Sequence, residues 1–193
     1  MDGIDGSGKS THARWIKEYY RGRGEKVLVR VHPSERLSGK LARRSLEERG
    51  AMMRAVATVF FIGDVLLSVA SLRRDSRRYD TIVYVRYLMA TAYLPEKFMF
   101  AGYDFFSRML PVPERLLLVD VQPLNALKRI LEREHRLEMF EDLPSLKRAR
   151  SKVLRLARPP WQVLDNNAPE GQAHRSLVEI LRRWDETLTL TPP

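Results

Sequence analysis

Residues 3–11, Gly3-Ile4-Asp5-Gly6-Ser7-Gly8-Lys9-Ser10-Thr11, match the phosphate-loop pattern G-x-x-x-x-G-K-S/T in full. Such a loop leaves the end of a buried, apolar parallel strand and opens a helix, so it constrains the architecture as well as the ligand. Its glycines let the backbone wrap a polyphosphate with successive N–H groups facing the oxygens. Lys9 then reaches the β- and γ-phosphates, and the Ser10 hydroxyl can hold Mg²⁺. The next residues, Thr11-His12-Ala13-Arg14-Trp15-Ile16, read as the first turns of a helix whose positive end faces the anion. These features together describe a nucleotide-binding protein.

Only Met1 and Asp2 precede the loop, where a buried strand is expected. An empty slot in the middle of a parallel sheet would leave ladder groups unpaired on both neighbours. The first strand therefore reads as truncated, and the natural start is expected upstream of Met1.

A chain of 193 residues fits one α/β domain with a substantial core. The absence of cysteine excludes a disulfide framework and a thiolate metal site, and suits a reducing cytoplasm. No secretory leader is visible, because the N-terminus is polar and taken up by the phosphate loop. The most apolar stretch, residues 55–72, is interrupted by Asp64 and followed by Arg73-Arg74-Asp75. A membrane span needs about twenty largely uncharged residues, so this stretch reads as a core helix. The net charge of +10 suits either a polyanionic nucleotide or nucleic acid. Many of the arginines alternate with glutamates, as in Leu131-Glu132-Arg133-Glu134, so solvated helix faces account for most of them.

The hydrophobic pattern predicts strands at residues 26–31, 79–85, 116–121 and 161–164. Helices are predicted after the loop and over residues 38–49, 52–74, 96–110, 123–137, 143–156 and 170–188. Strands alternating with helices imply a parallel sheet flanked by helices, with ligands at the strands' C-terminal ends. One P-loop NTPase domain over residues 1–193 is expected.

Several segments, in order and nearly from end to end, resemble thymidylate kinase and its archaeal relatives among the nucleoside monophosphate kinases. Asp5 lies where that family binds the 3′-hydroxyl of the acceptor nucleotide. His32-Pro33 followed by Gly39-Lys40-Leu41-Ala42-Arg43 resembles the stretch R-E-P-G-G…G-E-x-x-R and makes Arg43 an acceptor-phosphate arginine. Phe61 falls where the family stacks an aromatic on thymine. Arg86-Tyr87 with Ala92-Tyr93 resembles the D-R-Y/H…A-Y signature, and residues 120–130 with Phe140-Glu141 resemble the strand, helix and lid that complete the fold. The resemblance implies ATP as donor, Mg²⁺, dTMP as acceptor, and a homodimer for which the apolar residues 52–72 are suited. It makes Tyr93 part of the acceptor site.

The residue types suit these roles. Phosphoryl transfer rests on positioning and charge neutralisation, so Lys9 would neutralise the γ-phosphate while Arg86 bridges the two phosphates that exchange the group. Arg129 and Arg133, four apart, share a helix face; the first could stack on adenine and the second reach the ATP phosphates. Arg136, in a lid over about residues 133–142, would arrive on closure. Phe61 is equally suited to plain core, and a solvated face remains open for Arg129, Arg133 and Arg136. His32 and His135 offer no metal-ligand spacing, and Asp120 reads as structural.

Three positions depart from the family pattern. Val85 replaces the aspartate associated with Mg²⁺, Val65 replaces the base-reading arginine, and His32 replaces the glutamate of R-E-P-G-G. The leading expectation is ATP-dependent phosphorylation of a nucleoside monophosphate. The alternative is a nucleotide-binding regulatory protein that lost efficient chemistry at Val85. A nucleic-acid-associated ATPase is disfavoured, since no nucleic-acid module appears and aromatics do not interleave with the basic runs.

Overall fold

The computed structural model describes residues 1–34, 51–133 and 142–189, with the backbone alone described at 51–60, 133, 188 and 189. In chain order the elements are α1 (Lys9–Arg21), β1 (Val27–Val31), α2 (Ala51–Ala70), α3 (Leu72–Asp75), β2 (Thr81–Val85), a 3₁₀ turn (Leu88–Tyr93) and α4 (Glu96–Met109). They continue with β3 (Leu116–Asp120), α5 (Pro123–Arg133), α6 (Leu143–Leu156), β4 (Trp161–Asp165) and α7 (Glu170–Thr189).

The strands form two parallel pairs. β1 runs beside β2 from Val27 opposite Thr81 to Val31 opposite Val85, and β3 runs beside β4 from Leu116 opposite Trp161 to Asp120 opposite Asp165. Met1 and Asp2 join the pairs. The Met1 ammonium donates to Tyr84 O at 2.7 Å, and Arg86 N donates to Met1 O at 3.2 Å. On the other side Asp2 N donates to Leu117 O at 2.8 Å and Val119 N donates to Asp2 O at 2.9 Å, a parallel bridge opposite Leu118. The expected central strand is thus present as a two-residue stub. Behind it, between Thr81 and Val83 of β2 and Leu116 and Leu117 of β3, lies a cavity of about 90 Å³.

Both sheet faces are covered, which is why β2 and β3 read as β-branched or leucine runs rather than as alternating ones. Ala13, Ile16 and Tyr20 of α1 pack with Leu177 and Leu181 of α7 on one face. Val65 of α2, Met99 of α4, Ile130 of α5 and Leu146 and Val153 of α6 pack on the other. β3 is buried over its whole length.

The helix expected over 52–74 breaks at Ser71, whose hydroxyl donates to Ser68 O at 2.8 Å and to Asp75 Oδ2 at 3.0 Å. Those bonds compete locally with a continuous helix. The 3₁₀ turn over Leu88–Tyr93 was not anticipated from the sequence pattern. The helix expected over 38–49 and the end of the one expected over 123–137 lie outside the described residues. No helix among the described residues is long and apolar enough to cross a membrane.

Candidate nucleotide-binding site

The loop between the stub and α1 is shaped by close backbone approach. Gly6 has φ 72° and a Cβ there would lie 2.4 Å from Ala126 O; Gly8 has φ 92° and a Cβ would lie 2.6 Å from Asn166 Nδ2. Only glycine combines that left-handed backbone with contact so tight. Asn166, just after β4, donates from Nδ2 to Ser7 O at 2.8 Å and ties the loop to the sheet's far edge. His12 on α1 bonds Gly8 O through Nδ1 at 3.0 Å. Ser7 Oγ is buried with no hydrogen-bond partner among the described residues and faces Gly3, where a Cβ would lie 2.6 Å from it.

Lys9 is nearly buried and donates from Nζ to Gly3 O at 2.9 Å and to Ile4 O at 2.6 Å. Its ammonium carries three N–H groups, and the third is shared between Asp5, 3.7 Å away, and any ligand oxygen. Burial, reinforced by the Arg86 charge, pushes the Lys9 ammonium down from 10.5 to about 8, against the opposing pull of Asp5 and Asp2. Ser10, at the start of α1, is exposed.

Arg86 leaves the end of β2 with φ 60°, an uncommon backbone for a residue with a side chain. That turn brings its guanidinium to Asp5, with NH2 at 2.5 Å from Oδ1. Tyr93, at the end of the 3₁₀ turn, donates to the other oxygen of Asp5 at 3.3 Å, and Lys9 Nζ lies 3.7 Å from Oδ1. Burial alone would raise the Asp5 carboxyl. The Arg86 and Lys9 charges, with the bonds from Arg86 and Tyr93, overcome it and hold the carboxyl well below the usual carboxylate range. Burial pushes the Tyr93 hydroxyl far up, and neighbouring Asp5 adds to the effect. Lys9, Asp5, Arg86 and Tyr93 are therefore one charged cluster at the C-terminal ends of the stub and β2.

Arg129 of α5 donates to Asn166 O at 2.9 Å, which sets it beside the loop rather than on a solvated face. Phe61 of α2 is half-buried against the core and meets His32 edge-on with ring centroids 6.3 Å apart. His32 also stacks with Tyr84 at 6.0 Å and bonds Ser68 Oγ at 2.9 Å. Val85 and Val65 are both core side chains, on opposite faces of the sheet. Arg43 and Arg136 lie outside the described residues, as does the side chain of Arg133.

Asp120 receives two bonds from Arg150, Nε to Oδ1 and NH2 to Oδ2, both at 2.8 Å, and so is held as a structural ion pair. Sequence reasoning missed three contributors to the site: Asn166, His12 and Asp2. Asp64 was noted only as a break in an apolar run. It is fully buried and accepts from Ser34 N at 2.7 Å and Ser34 Oγ at 2.5 Å, fixing the chain where it leaves β1. A charged residue inside an apolar helix was the available signal, since an acid is buried only with partners.

A family model described as thymidylate kinase matches residues 1–177, a span that includes the loop, all four strands and the Asp5 cluster. The chain belongs to the thymidylate kinase family. The "Putative thymidylate kinase" of Aeropyrum pernix is 34% identical over 187 residues, covering 93% of this chain and 89% of the relative. The "Probable thymidylate kinase" of Pyrobaculum calidifontis is 28% identical over 193 residues, covering 95% and 94%. The "Thymidylate kinase" of Xylella fastidiosa is 31% identical over 200 residues, covering 94% and 90%. Membership in this family implies a P-loop NTPase fold and a nucleoside monophosphate kinase, in keeping with the parallel strands and helices described above.

Proposed function

We propose that this chain transfers the γ-phosphoryl group of ATP to dTMP, yielding dTDP and ADP. The observation that carries the reading is the convergence of Arg86 on Asp5 beside Lys9. A cation from the phosphate loop and a cation from the end of β2 flank one carboxylate, at the point where donor and acceptor phosphates must meet.

In the transfer, an oxygen of the acceptor phosphate forms a bond to the γ-phosphorus while the bond from that phosphorus to the ADP oxygen breaks. Charge spreads over the transferring oxygens, and fixed cations stabilise it without reorganising. Lys9 bears on the γ-phosphate through its remaining N–H, and Arg86 bridges the two phosphates. Asp5, kept ionised, accepts the acceptor's sugar hydroxyl. The glycine cradle suits a polyphosphate. Ser10 is the side chain that would hold Mg²⁺, which would supply further charge neutralisation at the ATP phosphates.

Arg129 and Arg133 belong on the adenine and phosphate side of ATP, with Arg136 arriving from a lid over 133–142. Arg43, Phe61 and Tyr93 belong to the acceptor. The whole chain acts as one cytoplasmic nucleotide-kinase domain. It pairs with a second copy through α2, which exposes Leu66 and Leu67. A coupled assay of ADP release, run over the common nucleoside monophosphates, tests the reading. Turnover is expected with dTMP first, and no turnover with any of them from folded protein overturns it.

A further inference from the structure

The Asp5 cluster depends on a residue that touches neither Asp5 nor a phosphate-facing group. Asp2, 3% exposed, accepts from Tyr87 N at 2.9 Å and from Met89 N at 3.1 Å, both through Oδ2. Those two N–H groups straddle the start of the 3₁₀ turn, directly after Arg86. Tyr87 and Met89 are themselves buried, so without the carboxylate both donors lose their partner away from water.

Asp2 is also fixed at its own backbone. Its N–H and C=O are both engaged by β3, through Leu117 and Val119, and the preceding carbonyl accepts from Arg86 N. The left-handed backbone of Arg86 is thus clamped on both sides, by Met1 O before it and by the Asp2 carboxylate after it. A non-glycine residue holds such a conformation only where its surroundings over-determine it. Arg86 lies at one end of the clamped segment and Tyr93 at the other, and these are two of the partners of Asp5.

We propose that Asp2 is a positioning residue, whose carboxylate holds the segment after β2 so that the Arg86 guanidinium stays over Asp5 and the transferring phosphate. The inference rests on the kinase reading for its catalytic consequence, and on geometry alone for the clamp. Misplacing a catalytic group by about 1 Å costs on the order of a hundredfold in rate. Asp2→Ala is therefore expected to lower kcat about a hundredfold while the dissociation constant for ATP changes less than about threefold. Asn keeps an oxygen able to accept both N–H groups, so Asp2→Asn is expected to recover most of the lost kcat.

The decisive comparison is the double variant with Arg86→Ala. If Asp2 works through Arg86, adding Asp2→Ala to Arg86→Ala leaves kcat unchanged. Additive losses, or a kcat that merely follows the folded fraction of Asp2→Ala, overturn the proposal. Amide hydrogen exchange at Tyr87 and Met89 reads the clamp without turnover. Both should exchange much faster in Asp2→Ala than in the unaltered chain, with α1 unaffected; unchanged exchange overturns the clamp. Where the unaltered chain turns over no monophosphate, the kinase reading fails and the exchange result stands by itself. Where Asp2→Ala does not fold, Asp2→Leu, which keeps the side-chain volume and removes the acceptor, carries both measurements, with the same losses expected and no effect on either counting against the proposal.

Discussion

Lys9 offers a quantitative test, because one group should drive two pH slopes of opposite sign. Its ammonium titrates near pH 8 in the free protein, against 10.5 in an unfolded chain, with burial as the main cause and Arg86 reinforcing it. A polyphosphate supplies the opposite charge at contact distance and raises the value in the complex. Between pH 7 and 9 the protonated fraction of the free protein falls from about nine-tenths to about one-tenth. ATP affinity is then expected to weaken about tenfold, or about 1.4 kcal/mol. The terminal phosphate of ATP, with its last pKa near 6, keeps its charge over this window. Calorimetry in buffers of different ionisation enthalpy should find proton uptake on binding of about 0.1 at pH 7 and about 0.9 at pH 9. The free protein's stability should move the other way. Above pH 8 the unfolded chain holds a proton that the folded one has released, so stability rises with pH up to about 10.5. The Lys9→Met chain should lose the affinity slope and the rise in stability above pH 8. Affinity that stays flat from pH 7 to 9, or an affinity slope that survives in Lys9→Met, refutes the assignment of this ammonium to the phosphates.

Three other perturbations separate site from scaffold. Val85→Asp places an acid where the side chain is 1% exposed, so the free protein should lose about 1–3 kcal/mol in a urea melt while kcat with Mg²⁺ rises; a kcat no higher than that of the unaltered chain shows that Val85 is not what limits it. Arg150→Met removes both bonds to Asp120 and should cost about 1–3 kcal/mol of stability, leaving KM for ATP within about threefold. A large fall in kcat at unchanged stability would instead put Asp120 in the site. A chain lengthened ahead of Met1 by three β-branched residues should gain stability by packing into the cavity between β2 and β3, read as a higher denaturation midpoint.

What the sequence disclosed followed from locality. β3 is an apolar run buried over its whole length and β2 is buried from Val83 to Val85, and such runs carry their own signature. The helix over Leu143–Leu156 has the bounds its hydrophobic pattern predicts, and it begins at Asp142, whose side chain accepts from Ser145 N. The phosphate loop likewise states its glycines and its lysine in nine consecutive positions. The hidden features are those set from far away. Nothing in Leu88-Met89-Ala90-Thr91-Ala92-Tyr93 specifies a 3₁₀ turn; the carboxylate that holds its first turn lies 85 and 87 residues earlier. Asn166 reaches the loop across 159 residues, and Arg150 reaches Asp120 across 30.

That division also explains why the stub matters more than its two residues suggest. In a parallel sheet of this type the central position is where the loop, the neighbouring strand ends and the ligand meet. Here Met1 and Asp2 make every backbone bond that joins β2 to β3, and the same two residues hold Arg86 in its left-handed turn. Scaffold and site therefore share bonds at this point. A change at Met1 or Asp2 should alter cohesion between the strand pairs and the aim of Arg86 together, whereas a change at Arg150 or Ser71 should alter the scaffold alone.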